Sequence, residues 1–307
     1  MSLHLIFLGT AGSVPTPKRS LPAIVMRRED ELLIFDCGEG IQRQMIQAGV
    51  GFHRKTKVFI THLHGDHVLG LPGLLQTMSL LDRERKLKIY GPSGIEAFVD
   101  AIQRTVQFNL TFPLEIQEVI DADIVCGERE YEMHAIWADH VVPCLAYALI
   151  ERPRPGKFNP KKAKALGIPE GRLWSKLQHG STIKLSNGKV VKSGEVVGPP
   201  RPGRKVVYSG DTRPTGSVAQ LAMGADLLIH DGTFADELAD KALEDGHSTA
   251  KQAAEIAHKA QVKWLILTHV SARYKNHDVL LEQARKTFPK TDIAEDFMKI
   301  DLPLKDS

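Results

Sequence analysis

A chain of 307 residues holds about two domains or one large α/β unit. Its 42% hydrophobic, 25% charged and 6% aromatic residues exclude disordered, collagen-like and coiled-coil classes. The net charge of +3 says little by itself. No run approaches the ~20 apolar residues of a membrane helix, and the start reads as a strand and not as a leader, so a cytoplasmic, membrane-free protein is expected.

Taken in chain order, Leu3–Gly9 and Leu32–Gly38 read as strands, followed by a helix over Gly40–Ala48. Lys57–His62 is a strand, Val68–Leu81 a helix, Lys88–Gly91 a strand and Ser93–Val106 a helix. Two strands follow, Tyr131–His140 and Leu145–Glu151, then a basic segment over 151–205. The remainder alternates again: strands Lys205–Thr212 and Ala225–Thr233, a helix Thr249–Ala260 capped by Ser248 or Thr249, a strand Trp264–Val270 and a helix Val279–Phe288. Such alternation is the pattern of an α/β fold. Cys37, Cys126 and Cys144 are odd in number and widely spaced, which argues against a disulfide framework or a cysteine metal site, and Cys37 is expected as a small buried hydrophobe.

The segment 151–205 carries fourteen Lys and Arg against three Glu, a local balance of +11 that leaves −8 for the other residues. It also holds eight Gly and seven Pro, which break helices and strands at that density. It therefore reads as an insertion projecting from the α/β body, serving either as a solvated loop or as a contact surface for phosphates.

Several strands end in the same way. Lys57–His62, Ala135–His140, Val206–Asp211, Ala225–Asp231 and Trp264–His269 are apolar runs that terminate in His or Asp. The carboxyl ends of strands are where α/β sites assemble, because the sheet holds the base of each loop rigid. The densest cluster is His62-Leu-His64-Gly-Asp66-His67: alternate residues of an extended segment point the same way, and Gly65 allows the turn that returns Asp66 and His67. Imidazole and carboxylate donors without thiolate suit an open, catalytic Zn²⁺ site. With His140, Asp211 and His269 the donors number seven, too many for one tetrahedral ion and suited to two ions bridged by a carboxylate.

These residues resemble the metallo-β-lactamase superfamily, whose fold is an αββα sandwich. Within it the chain resembles the ribonuclease Z family of tRNA 3′-processing endonucleases over essentially its whole length. The matching stretches are Phe7–Thr10, Phe35–Glu39, the metal motif with Gly70–Leu74, Ser209–Arg213, His247–Thr249 and Leu267–Tyr274. The resemblance implies a single domain over 1–307 with a flexible tRNA-binding arm at 151–205, two Zn²⁺ per subunit, precursor tRNA as substrate and a homodimer. It implies that His62, His64 and His140 bind one zinc, that Asp66, His67 and His269 bind the other, and that Asp211 bridges them. Asp66 then orients or deprotonates the water, and His247, oriented by Asp231, protonates the leaving oxygen.

Two departures stand out. The family's His-Glu-Ala-Thr reads His230-Asp-Gly-Thr233, one methylene shorter at the acid, and its Pro-x-Lys-x-Arg-Asn loop reads Pro15-Thr-Pro-Lys-Arg-Ser20. The candidate RNA contacts are Lys18 and Arg19 of that loop, Arg273 after the last strand end, and Lys161, Lys162, Lys164, Arg172 and Lys176 of the arm. A small-molecule hydrolase or phosphodiesterase using the same metals, and a catalytically inactive RNA-binding protein, are the alternatives. The first has no need of a +11 segment, and the second leaves costly polar groups without purpose.

Overall fold

A computed structural model describes residues 2–121 and 123–305. The first compact unit comprises the chain up to Ile150 together with Lys205–Pro303. It holds two seven-stranded sheets. The first runs, edge to edge, Lys299–Asp301, Leu3–Gly9, Ala23–Arg28, Glu31–Phe35, Lys55–Phe59, Leu87–Gly91 and Leu114–Glu118. The second runs Thr291–Ile293, Leu265–Thr268, Leu227–Asp231, Lys205–Tyr208, Cys144–Glu151, Tyr131–Ala138 and Ile124–Gly127. Both are mixed: Glu31–Phe35, Lys55–Phe59 and Leu87–Gly91 run parallel, as do Lys205–Tyr208, Leu227–Asp231 and Leu265–Thr268.

The period of two along each strand builds the layers. Leu3, Leu5 and Phe7 of one sheet and Leu145, Tyr147 and Leu149 of the other belong to one buried cluster between the sheets. Phe59 stacks there on Phe35 at 5.3 Å and on Tyr90 at 5.1 Å and meets Tyr147 edge-on at 5.4 Å. Alternate residues such as Leu8, Ile34 and Val58 face a second cluster with helices Ile41–Gln47, Gly70–Leu80 and Ile95–Val106. Ala146, Ala148 and Val207 face a third, with helices Gly216–Leu221, Ala250–Lys259 and Asp278–Thr287. Three clusters separated by two sheets make an αββα sandwich. In helix Ala250–Lys259 the buried face is Ala250, Ala253, Ala254, Ile256 and Ala257, all but one of them small residues, which let it lie close to the sheet.

The expected strands and helices are present with shifted ends. Lys57–His62 is a strand only over Lys55–Phe59, and Tyr131–His140 only over Tyr131–Ala138, so His62 and His140 lie in the turns beyond. A side chain in a ladder projects perpendicular to its sheet, whereas residues that have left it can converge. The helix expected over Val68–Leu81 is divided into Gly65–Val68 and Gly70–Leu80. Thr249 caps helix Ala250–Lys259 and Gln252 completes the capping box.

The second unit gathers Glu151–Arg204 with Leu304 and Lys305. Its chain leaves and returns as paired segments, with Arg154 opposite Arg201 and Phe158 opposite Val197. Arg204 closes the base through Nε and Nη2, each 2.7 Å from a different oxygen of buried Glu151. At the far end lie helices Pro160–Ala165 and Arg172–Gln178 and a hairpin pairing Ile183–Lys184 with Val190–Val191. They share a small core of Ala163, Ile168, Leu177, Ile183, Leu185, Val191 and Val196. The Pro density does not prevent these helices, because Pro160 occupies the first helical position, where no N–H is needed, and Asn159 caps it.

Candidate metal centre and active site

The turns that follow five strands meet at one rim of the sandwich, where the Leu145 amide donates to the Thr61 carbonyl at 2.9 Å. The turn after Lys55–Phe59 carries His62 and His64, and the short helix Gly65–Val68 carries Asp66 and His67. His140, Asp211 and His269 follow their own strands, and Asp231 is the last residue of Leu227–Asp231. His230, its neighbour, is fully buried and belongs to none of the donor groups below.

All seven residues expected to hold metal fall into overlapping groups of three whose donor atoms lie within 4.8 Å of one another. His62, His64 and His140 form one, with His64 Nδ1 3.1 Å from His62 Nε2 and 3.3 Å from His140 Nε2. Asp66, His67 and His269 form another, with Asp66 Oδ2 3.5 Å from His67 Nε2 and 3.4 Å from His269 Nε2. Asp211 Oδ2 lies between them, 3.6 Å from His62, 3.3 Å from His67 and 3.2 Å from His269.

The tautomers follow from the far side of each ring. His140 Nδ1 faces the Gly246 carbonyl at 2.7 Å and His67 Nδ1 faces Asp36 at 2.8 Å, so each donates there and turns its Nε2 to the centre. At most one contact of His64 Nδ1 can carry a hydrogen, which leaves lone pairs facing one another at little more than 3 Å. A cation among them removes that repulsion.

Two further observations test the fit. His67 Nε2 and Asp211 Oδ1 are buried without a hydrogen-bond partner. Burial lowers the pKa of His62, His64 and His140, leaving neutral nitrogen donors. Burial also pulls His67 down, but Asp211 and Asp36 outweigh it and hold its pKa well above the usual value. The field at that ring calls for positive charge, which a metal ion can supply in place of the proton. The donors fit metal.

Asp231 reaches His247: Nδ1 donates to Oδ2 at 2.8 Å, so the shorter acid makes the expected contact. Burial lowers the His247 pKa, but Asp231 and Asp211 prevail and raise it to about 9. Asp66 is also desolvated, yet His269 and His67 hold its pKa below the usual carboxylate range. Ser13 donates its amide to Asp66 Oδ2 at 3.0 Å.

The candidate RNA contacts divide. Lys18, Arg273 and the arm residues Lys161, Lys162, Lys164, Arg172 and Lys176 are exposed, Lys164 beside Glu170 at 2.7 Å. Arg273 lies over the Phe234 ring, 5.0 Å from its centroid. Arg19 differs from these: it is only 6% exposed, and Nη1 donates to Thr10 Oγ1 and the Ala294 carbonyl, both at 2.6 Å. Nη1 thus ties this loop to Thr10 and Ala294, while Nη2 faces His277 Nδ1 at 3.4 Å.

Asp36, Thr61, Thr233 and Gly246 shape this site although none is singled out for it by the sequence. Asp36 follows an apolar strand in the same manner as Asp211, a signal that could have found it; it accepts from His67, Thr61 and Tyr208. Asp36 and His269 both have left-handed backbone, φ 58° and 60°, a strain characteristic of functional turns.

Comparison with known proteins agrees with this geometry. The profile of the beta-lactamase superfamily domain matches residues 174–270, and that of anti-Pycsar protein Apyc1 matches residues 3–136. Ribonuclease Z of Methanosarcina acetivorans is 47% identical over 304 residues, 99% of each chain. Ribonuclease Z of Myxococcus xanthus is 42% identical over 306 residues, again 99% of each. The crystal structure of human tRNase Z, short form, superposes with a TM-score of 0.73 at 30% identity, covering 98% of this chain and all of that one. With full-length identity of this order, and with the sandwich and its rim of His and Asp in place, the chain belongs to the ribonuclease Z family of the metallo-β-lactamase superfamily.

Proposed function

We infer that the chain is a zinc-dependent tRNA 3′ endoribonuclease that hydrolyses one phosphodiester of precursor tRNA, leaving a 3′-hydroxyl on the tRNA and a 5′-phosphate on the trailer. The observation that carries this reading is the pair of donor clusters with Asp211 between them, found in a chain of this family. His62, His64 and His140 would hold one ion, Asp66, His67 and His269 a second, and Asp211 both. Ions bound there supply Lewis acidity, lowering the pKa of water and neutralising charge on the phosphate.

Asp66, kept ionised, accepts a proton from the attacking water, and the Ser13 amide fixes its orientation. His247 carries the opposite charge state: Asp231 keeps it protonated at neutral pH, ready to give that proton to the departing 3′ oxygen. The exposed cations of the 151–205 arm support an RNA substrate, since they can neutralise phosphates. Assembly as a homodimer in the cytoplasm, each arm serving the partner's site, is part of this proposal on the strength of the resemblance. No helix among the described residues is long and apolar enough to cross a membrane.

Precursor tRNAs with and without encoded CCA, incubated with the protein plus and minus chelator, test the reading on a gel. Release of an intact trailer, abolished by chelator and restored by Zn²⁺, is expected. Absence of cleavage at the 3′ side of the acceptor stem overturns it.

A further inference from the structure

We propose that Thr61 and Thr233 are matching positioning residues, each hydroxyl relaying one aspartate to the Nδ1 of one metal-site histidine, His62 or His269. The relay begins at Asp36 in one half of the sandwich and at Asp231 in the other. Thr61 Oγ1 is 3.0 Å from both oxygens of Asp36 and 2.9 Å from His62 Nδ1. Thr233 Oγ1 is 2.6 Å from Asp231 Oδ1 and 2.8 Å from His269 Nδ1.

Each hydroxyl has one hydrogen, and its placement is forced. An ionised carboxylate has no hydrogen to give, and oxygen atoms this close need one between them, so the threonine donates to the aspartate. Around Thr233 the competing acceptor is the His269 carbonyl at 2.9 Å, longer and uncharged. The hydroxyl is then an acceptor toward the ring, and Nδ1 of His62 and of His269 must each carry the donated proton. Both rings are thereby locked with a bare Nε2 facing the centre, the tautomer a metal ligand requires.

The two halves share the main contacts of this device. The Thr61 amide donates to Asp36 Oδ1 at 2.8 Å, and the Thr233 amide to Asp231 Oδ1 at 3.0 Å. Asp36 Oδ2 accepts directly from His67, and Asp231 Oδ2 directly from His247, each at 2.8 Å. One aspartate therefore serves two histidines, one directly and one through threonine. Asp231 joins the proton donor His247 to the ligand His269, which gives that acid a second task beyond orienting His247.

The proposal rests on the metal-centre reading above, and its test needs no RNA. Thr61→Val and Thr233→Val keep the side-chain shape and leave both aspartates their amide and histidine partners, while removing the hydroxyl's bond to the aspartate together with the acceptor that faces the ligand Nδ1. Full-length protein stripped of metal is titrated with Zn²⁺ against a chromogenic chelator. Each valine variant is expected to bind one equivalent about 10- to 100-fold more weakly than the native chain, the range for losing a group that orients a ligand. The effect at Thr233 should be the larger, because Cys144 Sγ, 3.7 Å from His62 Nδ1, offers that ring a weak substitute.

Thr61→Ser and Thr233→Ser keep the hydroxyl and should stay within about threefold of native affinity. With precursor tRNA, Thr233→Val should lower kcat and leave KM unchanged, as expected of a residue that acts through the metal site. If a valine variant fails to fold, Thr→Cys, a poor acceptor of similar size, takes its place. Native affinity in the valine or cysteine variants overturns the proposal, as does a serine variant as weak as its valine counterpart. Failure of tRNA cleavage leaves the titration result standing, so the two readings fail separately.

Discussion

At the scale of single residues, the centre is decided by which groups carry protons. His247 and Asp66 sit on opposite sides of neutrality: the imidazole holds its proton up to about pH 9, while the carboxyl releases its own far below pH 7. A general acid works only while protonated, so turnover should fall as pH rises through the His247 pKa. Asp231→Asn removes the charge that opposes the desolvation of the ring, so its pKa falls and the alkaline limb moves to lower pH. Positive charge bound in the adjacent clusters lowers both limbs together without changing the sign of their difference. His247→Ala marks the floor, with roughly a 10²- to 10⁴-fold loss of turnover for a removed general acid. A kcat–pH profile checks this: a limb that stays in place in Asp231→Asn removes His247 from the role.

At the scale of elements, helix ends and turns bring the ligands to bear. Gly246 terminates helix Ala239–Asp245 with φ 82°, and its carbonyl accepts from His140. A Cβ there would lie 2.6 Å from His140 Nδ1 and 2.9 Å from the Val141 amide, in a conformation that favours glycine. Gly246→Ala should displace the ring, cost about 1–3 kcal/mol for overpacking, and release metal from the three-histidine cluster. Zinc content and the melting temperature of the metal-free protein read the two effects separately; full zinc content would mean that the ring tolerates the methyl.

This glycine also shows what a sequence conceals. His62, His64, Asp66 and His67 are legible because four donors fall within six residues. The strands Glu31–Phe35 and Leu265–Thr268 are legible because burial on both faces makes all but one end residue of each a continuous apolar run. Ala23–Arg28 ends in two arginines, Leu114–Glu118 is an edge strand with three polar residues, and Thr291–Ile293 and Lys299–Asp301 are too short to show a period. The supports of the ligands leave still less trace: Gly246 acts through its backbone oxygen on a ring 106 residues away, and Asp36 acts on His67 across 31. Arg19 matches the family pattern by type, yet only the fold reveals that its Nη1 binds Thr10 and Ala294.

At the scale of the whole molecule, charge and chemistry occupy separate parts of the chain. The balance of +11 lies in 151–205, whereas the seven metal donors lie outside it. The second unit has its own small core, and the bidentate Glu151–Arg204 pair closes it at the base. Replacing Arg154–Gly198 by a short Gly-Ser linker leaves that pair and the sandwich clusters in place. Lysines and arginines that neutralise phosphates release condensed counterions, so affinity for RNA falls steeply with salt in proportion to the contacts made. The linker variant should therefore show a much higher KM for precursor tRNA and a flatter salt dependence. Hydrolysis of a small chromogenic phosphodiester, which reaches only the metal donors and His247, should change little. The two substrates separate the outcomes: equal losses on both mean that the deletion has damaged the centre, and an unaltered KM for precursor tRNA means that the basic segment is a solvated loop and that RNA is held elsewhere.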